Sequence, residues 1–473
     1  MPLLVYAASL EGAISFWDTG EAQTVPWIFG IMHPTGFPAF TILAGIFAHV
    51  MPFGAVSWRI ALFSALAMSG AAWLVFRIAR ELAGGALAAL GAAWLFAFGQ
   101  VVWTRGTRAE IHDVAVFFIL ASLYCALLWR RTGNSTALYL CAFAFGTGIA
   151  THSITVLLTP ALLLVIFSAR RLNRRQLLAA SALFVLALCT YAYLPARSFI
   201  VDRAHLDPTA AIGKPPGNVF WDTDDPSTLG GFVRLVTGSE FPTRAALRGI
   251  INWHVYADNG PGFLHDVLES FTPVGLLLAL GGLLAIFRRD RILAGALALA
   301  LYLPAAFAFG YTVVADIDRY YFTAFATVAI LAGLGAAALA DIPVKARFWR
   351  AGAAIVPLAL AVFLVWTNKA TFAQASDNGA REAIDSVVAR TPDRAILIAP
   401  WQQATALAYG AYVEKRLGAR IVDSSWYGDD AAYIPAWVRM RPVYVVGELW
   451  GNVPGYHTKA LGGWPPLYRV VKN

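Results

Sequence analysis

Two carboxylates and an imidazole stand near the start of the chain, in Asp18-Thr19-Gly20-Glu21 and His33-Pro34-Thr35-Gly36-Phe37-Pro38. Asp18 and Glu21 are candidates for a general base, which needs hydrogen-bond reach to an acceptor hydroxyl and a suitable pKa. Asp18 would equally suit the cap of a short helix. The stretch is expected to be a loop, because Gly and Pro break regular structure. Similar groups recur at the ends of other apolar segments. Trp103 to Asp113 carries Arg105, Arg108, Glu110 and His112; guanidinium groups suit phosphate oxygens, and Arg108 with Glu110 would also make a local ion pair. His152 interrupts two apolar runs, either as a substrate contact or as a hydrogen-bonded link between helices. Arg197 stands at a helix exit, where it could bind an anion or anchor the interface. Tyr311, Asp316, Asp318, Arg319 and Tyr320 form a fifth polar group. Polar linings from five separate connections point to one shared cavity.

The elements that must position these residues are membrane helices. Hydrophobic residues make up 59% of the 473 and charged ones 14%, with a mean hydropathy of +0.61. That excludes a soluble enzyme and indicates an α-helical polytopic membrane protein. Eleven spans are expected: a short first one ending near Trp17, then 57–80, 86–103, 112–129, 136–151, 153–169, 176–195, 269–287, 292–311, 320–340 and 350–367. The first holds little more than sixteen residues and is interrupted by Glu11, so the chain is expected either to begin inside the membrane or to continue upstream of Met1. The net charge of +8 is a topology signal, not one for nucleic acid. Arg77 and Arg80, Arg130 and Arg131, Arg170 to Arg175, Arg288 to Arg291, and Lys345 to Arg350 occupy alternate gaps, which the positive-inside rule assigns to the cytoplasm. The polar connections then share the extracytoplasmic face. Cys125, Cys141 and Cys189 lie in apolar runs and read as small buried hydrophobes.

Residues 1–369 form the expected membrane domain, with a first external loop at 18–57 and a large one at 196–268 carrying short interfacial helices. Residues 370–473 alternate helical and strand-like stretches and are expected to form a small extracytoplasmic α/β accessory domain with a partly parallel sheet. Ala399-Pro400-Trp401 replaces any glycine-rich phosphate turn after its first strand. No His pair or HExxH spacing points to a metal, so neither a metal nor another cofactor is expected. An enzyme on the outer face has no access to cytoplasmic nucleotide sugars, which leaves a lipid-borne donor.

Asp18-Thr19-Gly20-Glu21, the HPTGFP segment and Arg59…Ser64-Ala65 resemble the signature of the transmembrane protein O-mannosyltransferases, a GT-C-type family. Further matches follow in order: Trp103…Ala109-Glu110-Ile111, Gly148…Thr151-His152-Ser153…Pro160, Tyr193-Leu194-Pro195-Ala196-Arg197-Ser198, Trp221-Asp222…Asp225-Pro226 and Tyr311…Asp316…Tyr320-Tyr321. Together they cover nearly all of residues 10–340. The resemblance implies inverting transfer of a sugar, mannose by kinship, from polyprenyl phosphate to a protein Ser or Thr hydroxyl. It places the catalytic base on Asp18, with Glu21 and His33 beside it and Arg59 among the binding residues, and with arginines offsetting charge on the departing phosphate. Thr19, Thr35 and Phe37 depart from the family's usual Ser, Pro and Tyr. Expected partners are a polyprenyl-phosphate sugar, an acceptor protein or glycan and membrane lipid, in a bacterial inner membrane. Glycosylation of a lipid or polysaccharide is the alternative within the class, and a transporter or scaffold the alternative outside it.

Overall fold

Apolar chain in lipid can satisfy its backbone N–H and C=O groups only within helices or closed barrels, and the Ala- and Leu-rich runs here take the first course. The computed structural model describes residues 1–473 except 84, 169–170, 242, 312–315, 345–347 and 448–452. Arg170, Lys345 and Arg347 of the cationic gaps therefore lie outside the described residues. Among those described, seven helices are long and apolar enough to cross a membrane: Val56–Ala83, Ile111–Thr132, Arg174–Arg203, Trp253–Arg289, Arg291–Gly310, Ile317–Ala340 and Trp349–Thr367. Pro38–Val50, Ala86–Phe98, Ser135–Thr151 and Ser153–Phe167 are shorter apolar helices. The chain is a multi-pass, mostly helical membrane protein.

Ten of the eleven expected spans coincide with these helices, and the first does not. Only Pro2–Ala8 is helical there, because Glu11 turns away from lipid to pair with Arg108. The stretch expected as a first external loop is also mostly helical. Trp17–Ile28 is a helix, and Pro38–Val50, opened by a proline at its first turn, is another. The expected loop at 196–268 is shorter than it looked, since the helix ending at Arg203 runs into it and Trp253–Arg289 begins inside it. The latter kinks at Thr272, which has φ +61° immediately before Pro273.

Ile317–Ala340 runs through the middle of the bundle, and nearly every residue from Phe322 to Ala336 is buried. Hydrophobicity gives helices no reason to associate in lipid, so close packing must do so. Glycine supplies it here. A Cβ on Gly335 would stand 1.9 Å from the Leu278 carbonyl oxygen, and one on Gly282 1.9 Å from that of Leu331, so these backbones touch.

Residues 379–472 form the α/β unit. Its strands β1 (Ile396–Ala399), β2 (Ile421–Ser424), β3 (Val443–Val446), β4 (Tyr456–Gly462) and β5 (Leu467–Lys472) lie in the order β2-β1-β3-β5-β4. β1 pairs parallel with β2 and β3, and β3–β5 and β5–β4 are antiparallel. The β1 residues are buried on both faces, as parallel strands are when helices cover each side. Ile396 and Ile398 face Trp437 and Ile434. Leu397 and Ala399 share a core with Ile384 and Leu407, and also with Ala22, Val25 and Phe40 of the N-terminal helices. The unit expected as an accessory domain thus shares a core with the N-terminal helices.

Gly335→Val should force the two central helices apart, at a cost of about 1–3 kcal/mol or more for overpacking. A fall in thermal midpoint of the detergent-purified protein, larger than for Gly352→Val at an open position, is the expected outcome.

Candidate active site

The site begins with Asp18 in the first turn of Trp17–Ile28. Its side chain caps nothing. Arg319 Nη2 donates to Asp18 Oδ2 at 2.6 Å, and the Trp401 indole N–H donates to Oδ1 at 2.8 Å. Three distant parts of the chain thus meet on one carboxylate. Gly20 permits the approach: a Cβ there would lie 2.4 Å from the Ser15 carbonyl oxygen and 3.0 Å from Thr405 Oγ1 of the helix that Trp401 opens.

Arg319 is buried, and its other terminal nitrogen lies 3.7 Å from Glu110 Oε2. Glu110 caps Ile111–Thr132 by accepting from the His112 backbone N–H. It also takes the His112 ring Nδ1 at 2.8 Å, which leaves His112 Nε2 buried without a partner. His152 is a hydrogen-bonded link between two helical segments. Its Nδ1 accepts from the Ile154 N–H at 3.1 Å, linking two helices, while its ring stands 4.2 Å from that of His112 and lines the cavity.

His33 and Glu21 form a closed pair. Glu21 accepts the His33 backbone N–H at 2.8 Å and, through its other oxygen, the ring Nδ1. Burial disfavours the imidazolium, but Glu21 and then Asp18 outweigh it and raise the His33 pKa to about 9. Burial likewise pushes the Asp18 carboxyl up, and Arg319, His33 and the Trp401 N–H more than offset this, holding it at about 2. At neutral pH Asp18 is an anion beside two cations.

These groups line a cavity of about 800 Å³. Asp18, His33, Arg108, His112, His152, Tyr311, Asp316 and Arg319 face it. Trp401 and Trp426 close one wall, and Ile154, Val156, Leu157, Leu247 and Phe307 make an apolar side, where Val156 and Leu247 are about half exposed. Five expected site residues do not line it. Glu21 is wholly occupied behind His33. Glu110 sits under Arg319. Arg105 binds Asp316 at 2.9 Å and Asp318 at 2.8 Å, bracing the segment that carries Arg319. Arg59 donates to the carbonyls of Ala48, Phe53 and Gly54 and so braces the connection between Pro38–Val50 and Val56–Ala83. Arg197 donates to the Ile28 carbonyl at 3.0 Å and lies against the Trp221 ring. For the three arginines, a carbonyl or carboxylate nearby claimed the guanidinium. Trp401 and Trp426 were missed as site residues. The available signal was position, because Trp401 follows directly on the C-terminal end of a parallel strand, where α/β sheets place ligands.

Known proteins resemble this chain over most of its length. The model of the protein O-mannosyl-transferase TMEM260 N-terminal domain matches residues 18–175, starting at Asp18 itself. The mouse protein O-mannosyl-transferase TMEM260 is 26% identical over 488 aligned residues, covering 95% of this chain and 65% of the mouse protein. Over most of its length the chain is similar to the mouse TMEM260 protein O-mannosyl-transferase. The relative from Dictyostelium discoideum is 23% identical over 59% of this chain and 35% of its own length, so the chain spans less than two thirds of either. Among solved structures, ArnT from Cupriavidus metallidurans bound to undecaprenyl phosphate superimposes with a TM-score of 0.55 at 13% identity, covering 99% of this chain and 96% of ArnT. Its apo form gives 0.54. The GT-C-like fold implied by the sequence resemblance is the fold this chain shares with ArnT.

The His33–Glu21 pair makes a pH prediction. His33 is raised from about 6.5 in the unfolded chain to about 9, so its contribution to stability is complete below pH 6.5 and lost as pH rises through 9. The thermal midpoint should fall across that window in the wild type, and the fall should flatten in Glu21→Gln.

Proposed function

We propose that this chain is an integral-membrane glycosyltransferase that moves a mannosyl unit from a polyprenyl-phosphate donor to a Ser or Thr hydroxyl of a protein, on the extracytoplasmic face. The observation that carries the reading is the anionic Asp18 facing a cavity with one cationic and one apolar side. Support for the protein acceptor comes from the relatives' names, and for the lipid phosphate from the undecaprenyl phosphate of the ArnT structure. The sidedness is supported by Arg130 and Arg131, which stand near the end of Ile111–Thr132 about 27 Å from His112 at 1.5 Å per residue. They pair there with Asp290 and Glu81, so the cationic gaps lie at the opposite end of the bundle from the cavity.

Arg319, Arg108 and the unpartnered His112 Nε2 would receive the donor phosphate, with the polyprenyl tail leaving past Val156 and Leu247. Trp401 and Trp426, with ring centroids 4.6 Å apart, would stack on the sugar or acceptor. Asp18 would take the acceptor's proton as its oxygen attacks the anomeric carbon. The bond to the phosphate oxygen breaks on the opposite side, configuration inverts and the phosphate leaves as an anion beside Arg319. A carboxyl held at about 2 is a weak base. The donor would correct this: a phosphate that draws Arg319 away removes the largest of the influences that lower Asp18, beside His33 and the Trp401 N–H, so its basicity rises once donor is bound.

The test is transfer of labelled mannose from polyprenyl-phosphate-mannose to an extracytoplasmic protein fraction by the purified protein in lipid. Asp18→Asn should lower turnover about 10²–10⁴-fold, the range for losing a positioned base, with normal expression. Arg319→Gln should weaken donor binding as well as turnover. A donor left unconsumed by the wild type would show that the donor assignment is wrong, and normal transfer by Asp18→Asn would remove Asp18 as the base.

A further inference from the structure

Away from the cavity, three carboxylates converge. Asp202 ends the helix Tyr193–Arg203, and Asp222 and Asp225 belong to the turn-rich segment before Leu229–Thr237. One oxygen from each lies within 4.8 Å of the others. Acidic clusters are common, and this one would mean little without what surrounds it. Asp222 is 1% exposed. Its Oδ2 accepts the Gly217 N–H at 3.2 Å, while Oδ1 is buried with no donor. Among the described residues, no Lys or Arg forms an ion pair with any of the three; the neighbouring Arg234 approaches Asp224 instead, at 3.8 Å. Ser198 Oγ donates to Asp225 Oδ1 at 3.2 Å and Ser227 Oγ to the same oxygen at 2.5 Å, both neutral hydroxyl donors that leave the charge of the group uncompensated. A buried carboxylate oxygen without a donor is costly, and like charges so close add to the cost.

We propose that Asp202, Asp222 and Asp225 bind one divalent cation of the calcium class. Carboxylate oxygens are the ligands hard cations take, and calcium accepts irregular sets of them at about 2.3–2.6 Å, so two oxygens on one ion stand up to about 5 Å apart. The separations fit without rebuilding the turn. The ion supplies the missing partner of Asp222 Oδ1 and neutralises Asp202 and Asp225. It also joins a membrane helix to the segment that holds the N-terminal part of the active site. Phe220 accepts the Ile31 N–H at 3.1 Å, and Thr223 Oγ1 donates to the Ile31 carbonyl at 2.7 Å, two residues before His33. This is a structural site, separate from the chemistry at Asp18.

The full chain in detergent, stripped with a chelator, is titrated with terbium, whose luminescence is excited through Trp221 next to Asp222 in the chain. One saturable signal that calcium displaces, together with a rise in thermal midpoint on adding calcium, is expected. Both should disappear in Asp222→Asn, and in Asp202→Asn should the first variant fail to fold. Asp18→Asn should bind terbium like the wild type. Absence of a saturable signal in the wild type, or a signal that survives both Asn variants, overturns the site.

Discussion

The ion pair between Arg319 and Asp18 organises this molecule. An arginine buried among helices is tolerable only if it is paired and hydrogen-bonded, and Arg319 obtains its partners from two other parts of the chain, Asp18 at 2.6 Å and Glu110 at 3.7 Å. Each partner is itself held. Trp401 fixes Asp18 from just beyond the end of β1, His112 fixes Glu110 from the first turn of the helix that Glu110 caps, and Arg105 fixes the segment leading into Arg319 through Asp316 and Asp318. Removing any one of these groups would leave a charge in low dielectric without its complement.

The same pair explains why the α/β unit lies in the core of the membrane part's N-terminal helices. An indole N–H reaches Asp18 only if β1 and the helix after it are packed against Trp17–Ile28, and Gly20 removes the side chain that would keep them apart. Tyr409, immediately after that helix, accepts the Ser57 backbone N–H at 3.0 Å and ties the unit to Val56–Ala83 as well. The cavity is therefore walled by membrane helices on one side and by a sheet-based unit on the other. Such an arrangement offers a lipid one approach and a water-borne acceptor another.

Much of this was legible in the sequence, for identifiable reasons. Long apolar runs with arginines in alternate gaps located ten helices, since the bilayer leaves few alternatives. Clusters of ionisable groups at the helix ends located Asp18, His33, Arg108, His112, His152 and Arg319 around one space. What the sequence did not disclose was which charges face that space. Arg59, Arg105 and Arg197 have the same chemistry as Arg108 and Arg319, but tertiary packing commits them to carbonyls and carboxylates away from the cavity, whereas Arg108 and Arg319 line it while paired with Glu11 and Asp18. Glu21 was indistinguishable from Asp18 as a base until its two oxygens were seen bound to His33. The helix Pro38–Val50 was obscured by its shortness, and the contribution of Trp401 and Trp426 by more than 350 residues of intervening chain.

The coupling between Asp18 and Arg319 is tested most directly by the affinity of polyprenyl phosphate for Asp18→Asn and for Arg319→Gln, measured by calorimetry on the purified protein. If Arg319 is shared between Asp18 and the donor phosphate, neutralising Asp18 frees the guanidinium and tightens binding, while Arg319→Gln weakens it. Affinities that fall together in both variants, or that change in neither, would contradict the account.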